Sequence, residues 1–324
     1  MLKRIAVLTS GGDAPGMNAA IRAVVRTGTV RGAEVFGVRQ GYSGLLLGDF
    51  LPLTPRDVGG IIERGGTMLG SARCLEFKTD AGRRKALTGL ASAGIEGLIV
   101  IGGNGSQTGT HSLCELGFPA NGVASTIDND LLGTDITIGV DTALNVILEA
   151  MDRLRTSAQS HRRCSIVEVM GRDCGFLALT AGIAGGAEVI VTPEFDLTPE
   201  QVRERIAQSY ARGKQHGVIV VAEGAKNNAQ RLYEALSAPH ASLPLEPRLT
   251  ILGHVQRGGD PTAADRLLAT RLAADATDLL LSGTHGYLVG LKNGQLARTP
   301  IAEVAGRTKP LPDELIRLAE VMQT

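Results

Sequence analysis

The sequence predicts an α/β fold with parallel sheets. Short apolar runs of strand length alternate with helical periodicity through most of the chain. Several of those runs end in glycine-bearing turns that lead into a helix, as buried parallel strands do. No repeat with a period of roughly 20–50 residues interrupts the alternation.

The 324 residues leave room for one large or two medium domains, at roughly 100–200 residues each. A chain this long buries roughly three quarters of its unfolded surface and needs no covalent staples. Its 33 Lys and Arg balance 33 Asp and Glu. That neutrality argues against a bulk nucleic-acid or membrane-surface binder, so an anionic ligand has to be held by local arginines. Cys74, Cys114, Cys164 and Cys174 form no CxxC pair, which removes the usual zinc and thiol-redox patterns and fits reduced thiols. Met1-Leu2-Lys3-Arg4 runs into a short apolar stretch without a signal-peptide pattern, and no run of about 18 apolar residues occurs. A soluble, cytoplasmic protein is expected.

Ile5-Ala6-Val7-Leu8 reads as a buried strand ending at Gly11-Gly12, with a helix over residues 17–30 that puts Ile21, Val24 and Val25 on one face. Gly11 and Gly12 permit a close backbone approach, and the helix N-terminus behind them favours an anion, although neither the dinucleotide fingerprint nor the P-loop pattern is present. Residues 34–38 read as a second strand. Thr54-Pro55-Arg56-Asp57 reads as a capped helix start with Pro at its first position, running to Gly65-Gly66. Gly70 to Cys74 is an irregular loop carrying Arg73. Residues 97–101 form the clearest buried strand, with Gly102-Gly103-Asn104-Gly105-Ser106 at its end and a helix expected from Gln107.

Val123 leads to a further polar turn, Ser125-Thr126-Ile127-Asp128-Asn129-Asp130. If that turn is extended, alternation points Asp128 and Asp130 the same way. Paired carboxylates suit proton acceptance and cation support. Apolar steps of three and four from Val140 predict a long helix to about His161. Strands follow at 165–170 and 188–191, then a capping box at Thr198-Pro199-Glu200-Gln201 with a helix ending by Gly213. Residues 218–222 are another strand, residues 227–247 read as loops marked by prolines, and residues 249–252 lead to Gly253-His254-Val255-Gln256-Arg257-Gly258-Gly259. A helix over 261–282, a strand over 285–291 and a helix over 313–321 complete the chain.

Polar residues gather at the ends of these strands. Gly12, Arg73, Gly103 to Ser106, Thr126, Asp128 and Asp130 lie in the first half; Arg163, Met170, Gly171, Arg172, Glu223, Arg248, His254 and Arg257 lie in the second. Open α/β sheets bind ligands at such ends. A carboxylate base with several arginines suits phosphoryl transfer to a phosphorylated acceptor, because guanidinium groups clamp phosphate and neutralise developing charge.

These segments, in order and across nearly the whole chain, resemble the bacterial ATP-dependent 6-phosphofructokinases. The resemblance rests on Leu8 to Asn18, Gly102-Gly103-x-Gly105-Ser106, Thr126 to Asp130, Val169-Met170-Gly171-Arg172 and Gly253-His254-x-Gln256-Arg257-Gly258-Gly259. It implies two Rossmann-like three-layer α/β domains with mostly parallel sheets. Residues 1–138 with about 255–305 would hold ATP, and residues 139–254 with about 306–324 would hold the sugar phosphate. It also implies a homotetramer with active sites shared between subunits, magnesium, and phosphorylation of fructose 6-phosphate at its 1-hydroxyl in glycolysis.

By the same resemblance Asp128 is the base, Thr126 and Arg172 stabilise the transferring group, and Asp130 supports acceptor or metal. Gly12, Arg73, Cys74, Gly103, Asn104, Gly105 and Ser106 line the ATP site. Met170, Gly171, Glu223 and His254 hold the sugar and Arg257 its phosphate, with Arg163 and Arg248 reaching that phosphate from a neighbouring subunit. Arg22, Arg26, Arg155, Glu188, Arg212 and Lys214 match an effector site for a nucleotide or phosphoenolpyruvate. Pro55, Gly59 and Gly60 depart from that site's usual residues, so weakened nucleotide activation is expected.

Pyrophosphate-using relatives carry an acid where Gly105 stands and a lysine where Ser125 stands, so ATP is the expected donor. Asn104 stands where the family has an aspartate that positions magnesium. A kinase of a related sugar phosphate, such as tagatose 6-phosphate, and a catalytically weakened homologue are the alternatives.

Overall fold

The computed structural model describes residues 2–239 and 243–323. Its elements run β1 (Arg4–Ser10), α1 (Met17–Val30), β2 (Glu34–Val38), α2 (Tyr42–Leu47), β3 (Phe50–Leu53), α3 (Asp80–Ser92), β4 (Gly97–Gly102), α4 (Asn104–Glu115) and β5 (Ala120–Ala124). They continue with α5 (Val140–His161), β6 (Arg163–Val169), α6 (Phe176–Ala184), β7 (Val189–Val191), α7 (Pro199–Ala211), β8 (Gly217–Ala222), α8 (Ala229–Ser237) and β9 (Glu246–Ile251). The last are α9 (Ala263–Leu281), β10 (Tyr287–Lys292), β11 (Gln295–Pro300), α10 (Ile301–Val304) and α11 (Asp313–Met322).

The chain divides into two compact units, Met1–Thr142 with Arg257–Lys309, and Ala143–Gln256 with Pro310–Thr324. Unit 1 is built on a seven-stranded sheet in the order β11-β10-β5-β4-β1-β2-β3. Its centre is parallel, and β3 and β11 are antiparallel edges. β1, β4 and β5 are buried along almost their whole length, the signature of strands covered on both faces. Unit 2 is built on a wholly parallel four-stranded sheet, β7-β8-β6-β9. Its core joins Ile166, Val189, Val191, Ile219 and Val221 of the sheet to Val202 and Ile206 of α7 and Leu232 and Leu236 of α8. In both sheets the strand order reverses beside a central strand, β1 in unit 1 and β6 in unit 2, which is where parallel sheets open a ligand crevice.

Several elements differ from the sequence expectation. Residues 54–66 form turns, not a helix. The Asp57 carboxylate accepts from Thr54 N at 2.8 Å and from Thr54 Oγ1 at 2.6 Å, closing a local turn that competes with the helix. Gly60 and Gly66 then take left-handed backbone. Gly65 packs where an added Cβ would come 2.1 Å from Gly259 O, so that segment follows tertiary packing. α4 begins at Asn104, three residues before the expected start. α8 lies where loops were expected; Asn228 accepts from Arg231 N and starts the helix, and Leu232 and Leu236 pack into the core. α2, β3, α3, α6 and β11 are further elements that periodicity did not reveal.

A buried carboxylate joins two helix starts in unit 1. Asp265, in the first turn of α9, accepts from Gly139 N and Thr142 N at 2.8 Å and from Thr142 Oγ1 at 2.6 Å. Thr262, the N-cap of α9, donates its hydroxyl to Asp141 Oδ2 in the first turn of α5 at 2.6 Å. Each helix start therefore satisfies amides or carboxylates of the other. Burial pushes the Asp265 carboxyl up from its ordinary value, and the hydrogen bonds from Thr142 and Gly139 pull it back. Asp265→Ala strands two backbone N–H groups and a hydroxyl. It is expected to cost about 1–3 kcal/mol or more, read as a lowered denaturation midpoint, with Asp265→Asn intermediate.

Candidate active site

In unit 1 three neighbouring strands end at one level, because Ser10 of β1 pairs with Gly102 of β4 and Gly102 with Ala124 of β5. The turns that follow are thereby brought together. Gly11 adopts φ 86°, a conformation open to glycine at no cost. A Cβ on Gly102 would lie 2.5 Å from Ser106 Oγ and 2.6 Å from Ser10 O, so only glycine lets α4 begin this close to β1. α4 starts from Gly103 with no side-chain cap and no acidic residue in its first turn. Its amino terminus is left available to an anion. Gly105 faces open space, with nothing within 4 Å of an added Cβ.

Residues outside the motifs hold this turn. Tyr42 is buried, stacks on Phe77 at 4.1 Å and donates its hydroxyl to Ser106 O at 2.6 Å. Burial pushes its phenol pKa well above the ordinary value. Gln107, fully buried, donates from Nε2 to Gly102 O at 2.9 Å and Val123 O at 3.3 Å, tying the ends of β4 and β5. Ser71 Oγ donates to Gly11 O at 2.6 Å and so tethers the loop that carries exposed Arg73 and half-buried Cys74 to the first glycine turn. Nothing in local sequence pattern marks Tyr42 or Gln107; both act through the tertiary fold.

The turn after β5 carries the acids. Thr126 Oγ1 accepts from Asp128 N at 3.2 Å, and Thr137 Oγ1 donates to Thr126 O at 2.5 Å. Asn129 sits at φ 52°, with Nδ2 donating to Asp135 O and Oδ1 accepting from Thr137 N. This left-handed residue ends the alternation assumed for an extended turn. Asp128 is buried, while Asp130 lies half-exposed and pairs with α4. Asn104 Nδ2 donates to Asp130 Oδ2 at 2.8 Å and to Asp130 O at 3.2 Å. Asn104 Oδ1 and Ser125 Oγ are buried without a hydrogen-bond partner. Lys309 N donates to Asp130 O at 2.7 Å, and Lys309 Nζ reaches Thr134 O and Asp135 O. Lys309 thus clamps the acidic turn from a position that no local pattern marks.

Arg257 belongs to unit 1 and lies across the first glycine turn. Its Nη1 donates to Asp13 O at 2.9 Å and occupies the space that a Gly12 Cβ would fill, 2.4 Å away. Arg257 and Gly12 are therefore direct neighbours.

Unit 2 gathers a second set at its own strand ends. Val169 of β6 and Ala222 of β8 are paired, so the turns after them abut. Gly171 has φ 132° and Arg172 φ 50°, and Arg172 N donates to Glu223 Oε1 at 2.9 Å. A Gly224 Cβ would come 1.8 Å from Arg172 O. Met170 N donates to buried Gln256 at 3.1 Å, which anchors the short turn bearing exposed His254 beside Met170. Met170, Gly171, Arg172, Glu223 and His254 are thus neighbours. Arg163 is not with them. It begins β6, about 23 Å along the strand from Met170 at roughly 3.3 Å per residue, and with Arg248 of β9 it pairs with Glu246.

The residues expected at an effector site fall in both units. Arg22 and Arg26 lie on α1. In unit 2, Arg155 donates to Gly185 O, buried Glu188 accepts from Lys214 Nζ at 3.0 Å and from Val218 N at 2.6 Å, and Arg212 ends α7.

Hydroxyl, carboxylate and uncapped helix start in unit 1 can activate an acceptor and hold an anionic donor. The arginine, glutamate and histidine turns of unit 2 can hold a polar, anionic acceptor. Among the described residues no group of three or more His, Cys, Asp or Glu could hold a metal ion unaided. No described helix is long and apolar enough to cross a membrane.

Comparison with known proteins shows the family. A family model described as phosphofructokinase matches residues 4–280. The chain is 52% identical over 323 residues to an ATP-dependent 6-phosphofructokinase 1 of Thermus thermophilus, covering 99% of each. It is 50% identical over 322 residues to an ATP-dependent 6-phosphofructokinase of Bacillus licheniformis, covering 98% of this chain and 99% of that one. Among solved structures, a phosphofructokinase from Saccharomyces cerevisiae superposes with a TM-score of 0.86 at 41% identity, covering 93% of this chain and 45% of that chain.

Proposed function

The chain belongs to the phosphofructokinase family, and we propose that it transfers the terminal phosphoryl group of ATP to the 1-hydroxyl of fructose 6-phosphate, giving fructose 1,6-bisphosphate and ADP. Full-length identity near half to relatives of that name carries the reaction. The three adjoining strand ends of unit 1 supply a physical basis for it.

Asp128 takes the proton of the sugar 1-hydroxyl. The alkoxide oxygen then bonds the terminal phosphorus, and the bridging oxygen leaves on ADP with the bond's electron pair. Thr126, whose hydroxyl already accepts from the Asp128 amide, holds the transferring group, and Arg172 neutralises its charge. Gly12, Arg73, Cys74 and residues 103–106 receive the nucleotide in unit 1, with phosphate on the uncapped start of α4. Met170, Gly171, Glu223 and His254 receive the sugar in unit 2, and Arg257 its phosphate. Arg163 and Arg248 act on the phosphate held by a neighbouring copy in a homotetramer. Their place at the opposite end of β6 from Met170 supports that assignment. Arg22, Arg26, Arg155, Glu188, Arg212 and Lys214 receive a nucleotide or phosphoenolpyruvate as effector, and the enzyme works in the cytoplasm.

Magnesium, when bound, neutralises the nucleotide phosphates. Asn104 Oδ1, buried without a hydrogen-bond partner, and the carboxylate of Asp130, which accepts from the Asn104 amide nitrogen, are the hard oxygens that would hold it. One carboxylate and one neutral oxygen leave most of the coordination to water and nucleotide.

A coupled assay tests the reaction: turnover should be faster with ATP than with pyrophosphate, and faster with fructose 6-phosphate than with tagatose 6-phosphate. The reverse donor order would sink the reading. Asp128→Asn keeps the shape but cannot take the proton. Its kcat should fall on the order of 10²–10⁴-fold while substrate binding, measured by titration, stays close to wild type. Asn104→Asp sets a second carboxylate against Asp130, an arrangement that favours a cation between them. The magnesium concentration at half-maximal rate should fall and kcat should rise; superimposable magnesium curves would remove position 104 from metal control.

A further inference from the structure

Arg163, Glu246 and Arg248 form one small cluster at the open edge of the unit 2 sheet. β9 is an edge strand, and the parallel register sets Arg163 of β6 directly against Glu246. Glu246 and Arg248, two residues apart on β9, project to the same face. The backbone of Glu246 is fixed as well, its N–H donating to Arg162 O at 3.2 Å. The Glu246 carboxylate accepts from both arginines. Arg163 Nε reaches Oε2 at 3.2 Å, and an Arg248 guanidinium nitrogen reaches Oε1 at 2.6 Å. Each carboxylate oxygen therefore occupies one guanidinium, as two oxygens of a phosphate would. All three side chains are partly exposed, so an incoming anion can reach them.

We infer that Glu246 is a built-in counter-anion which the phosphate group of the sugar phosphate must displace from Arg163 and Arg248, so that this glutamate sets the affinity for that ligand. The inference rests on the reading of the two arginines as phosphate ligands. Two positive charges share one negative charge, leaving an excess that still attracts a dianion. Phosphate, with up to two charges and three oxygens to place, outcompetes a single carboxylate on a planar fork. The displaced carboxylate remains tethered to the strand and repels the bound ligand. Both effects weaken binding relative to a chain without the acid. The resting cluster gains something in exchange: the arginines hold defined positions, and singly charged solutes meet a competitor already in place.

The magnitude is bounded by exposure. Screened, solvent-accessible ion pairs are individually weak, so Glu246→Gln should tighten phosphate binding by roughly two- to tenfold. The measurement is isothermal titration of the full chain, in its solution assembly, with inorganic phosphate and separately with fructose 6-phosphate. Glu246→Gln and Glu246→Ala should both lower Kd, and the gain should vanish in an Arg163→Gln, Arg248→Gln background. Unchanged or weaker phosphate binding in both Glu246 variants, with thermal midpoints held, overturns the inference and makes the glutamate a support for the arginines. A gain that persists without the arginines also overturns it, since the effect is then general charge. Tightened phosphate binding in a chain that does not phosphorylate fructose 6-phosphate retains the counter-anion and discards the sugar reading. Turnover without any tightening does the opposite.

Discussion

Three parallel strands that stop in register impose most of what is distinctive in unit 1. Once Ser10, Gly102 and Ala124 share a level, the turns after β1, β4 and β5 have to fit side by side over one end of the sheet. That crowding explains the residues found there. Gly102 tolerates no Cβ against Ser10 O and Ser106 Oγ, and Gly11 bends where other residues are strained. It also explains why α4 starts so abruptly after its strand. Its first-turn amides have no side-chain cap, and Asn104 at its start bonds to the acidic turn. Gln107 and Tyr42 then hold α4 at that spot from beneath. The mutual capping of α5 and α9 through Asp265 and Asp141 fixes the other boundary, because residues 137–142 carry the chain away from the acidic turn.

Charge is handled by substitution of partners more than by vacancy. Asp130 in unit 1 already accepts from an amide, and Arg163 and Arg248 in unit 2 already share a carboxylate. On the proposed roles, ligand binding at such places is an exchange, and its free energy is a difference between two sets of contacts. At 4 Å and an effective dielectric near 20, a unit charge pair is worth roughly 4 kcal/mol. An amide in place of an acid, the change that the resemblance assigns to Asn104, is therefore sizeable even though the side chains have the same shape. It lowers the dependence of the acidic turn on a cation and lowers what a cation gains there.

The sequence disclosed the fold wherever a segment answered to one local cause. Apolar runs gave β1, β4, β6 and β8, periodicity gave α1 and α5, and the Thr198 capping box appears as expected, with Gln201 completing it. It failed where tertiary contacts decide. Thr54 and Asp57 carry the signs of a helix start, yet their side chains close a turn on each other. α8 has few helical signals in a proline-rich stretch, yet three of its side chains complete the unit 2 core. The glycine- and acid-bearing turns do follow the strands that the apolar runs indicate, but their internal geometry was not legible. The left-handed Asn129 separates Asp128 from Asp130, and no pattern in the chain announces it. Lys309, 179 positions from Asp130 in number, clamps that turn by a backbone bond invisible to any local reading.

Donor preference shows how unequal two neighbouring positions can be. Gly105 borders open space; an acidic side chain there can turn outward, fill the room that the proposed site leaves for a nucleotide and leave the backbone alone. Ser125 is 1% exposed, and its hydroxyl already lacks a partner. A lysine at 125 would bring an ammonium group into a site where burial penalises the charged form. It could stay charged only by extending toward an anion, so its cost falls when a compact, highly charged donor is bound and rises when none is. An acid at 105 is the natural partner for such a cation, since it both excludes the nucleotide and lowers that cost. The two changes are therefore coupled, and each alone leaves the chain worse than before: the acid without the lysine repels phosphate, and the lysine without the acid is a buried charge. On the proposed reading that these positions border the donor, small, neutral residues at both form a self-consistent pair, and that consistency, more than either residue singly, argues for ATP.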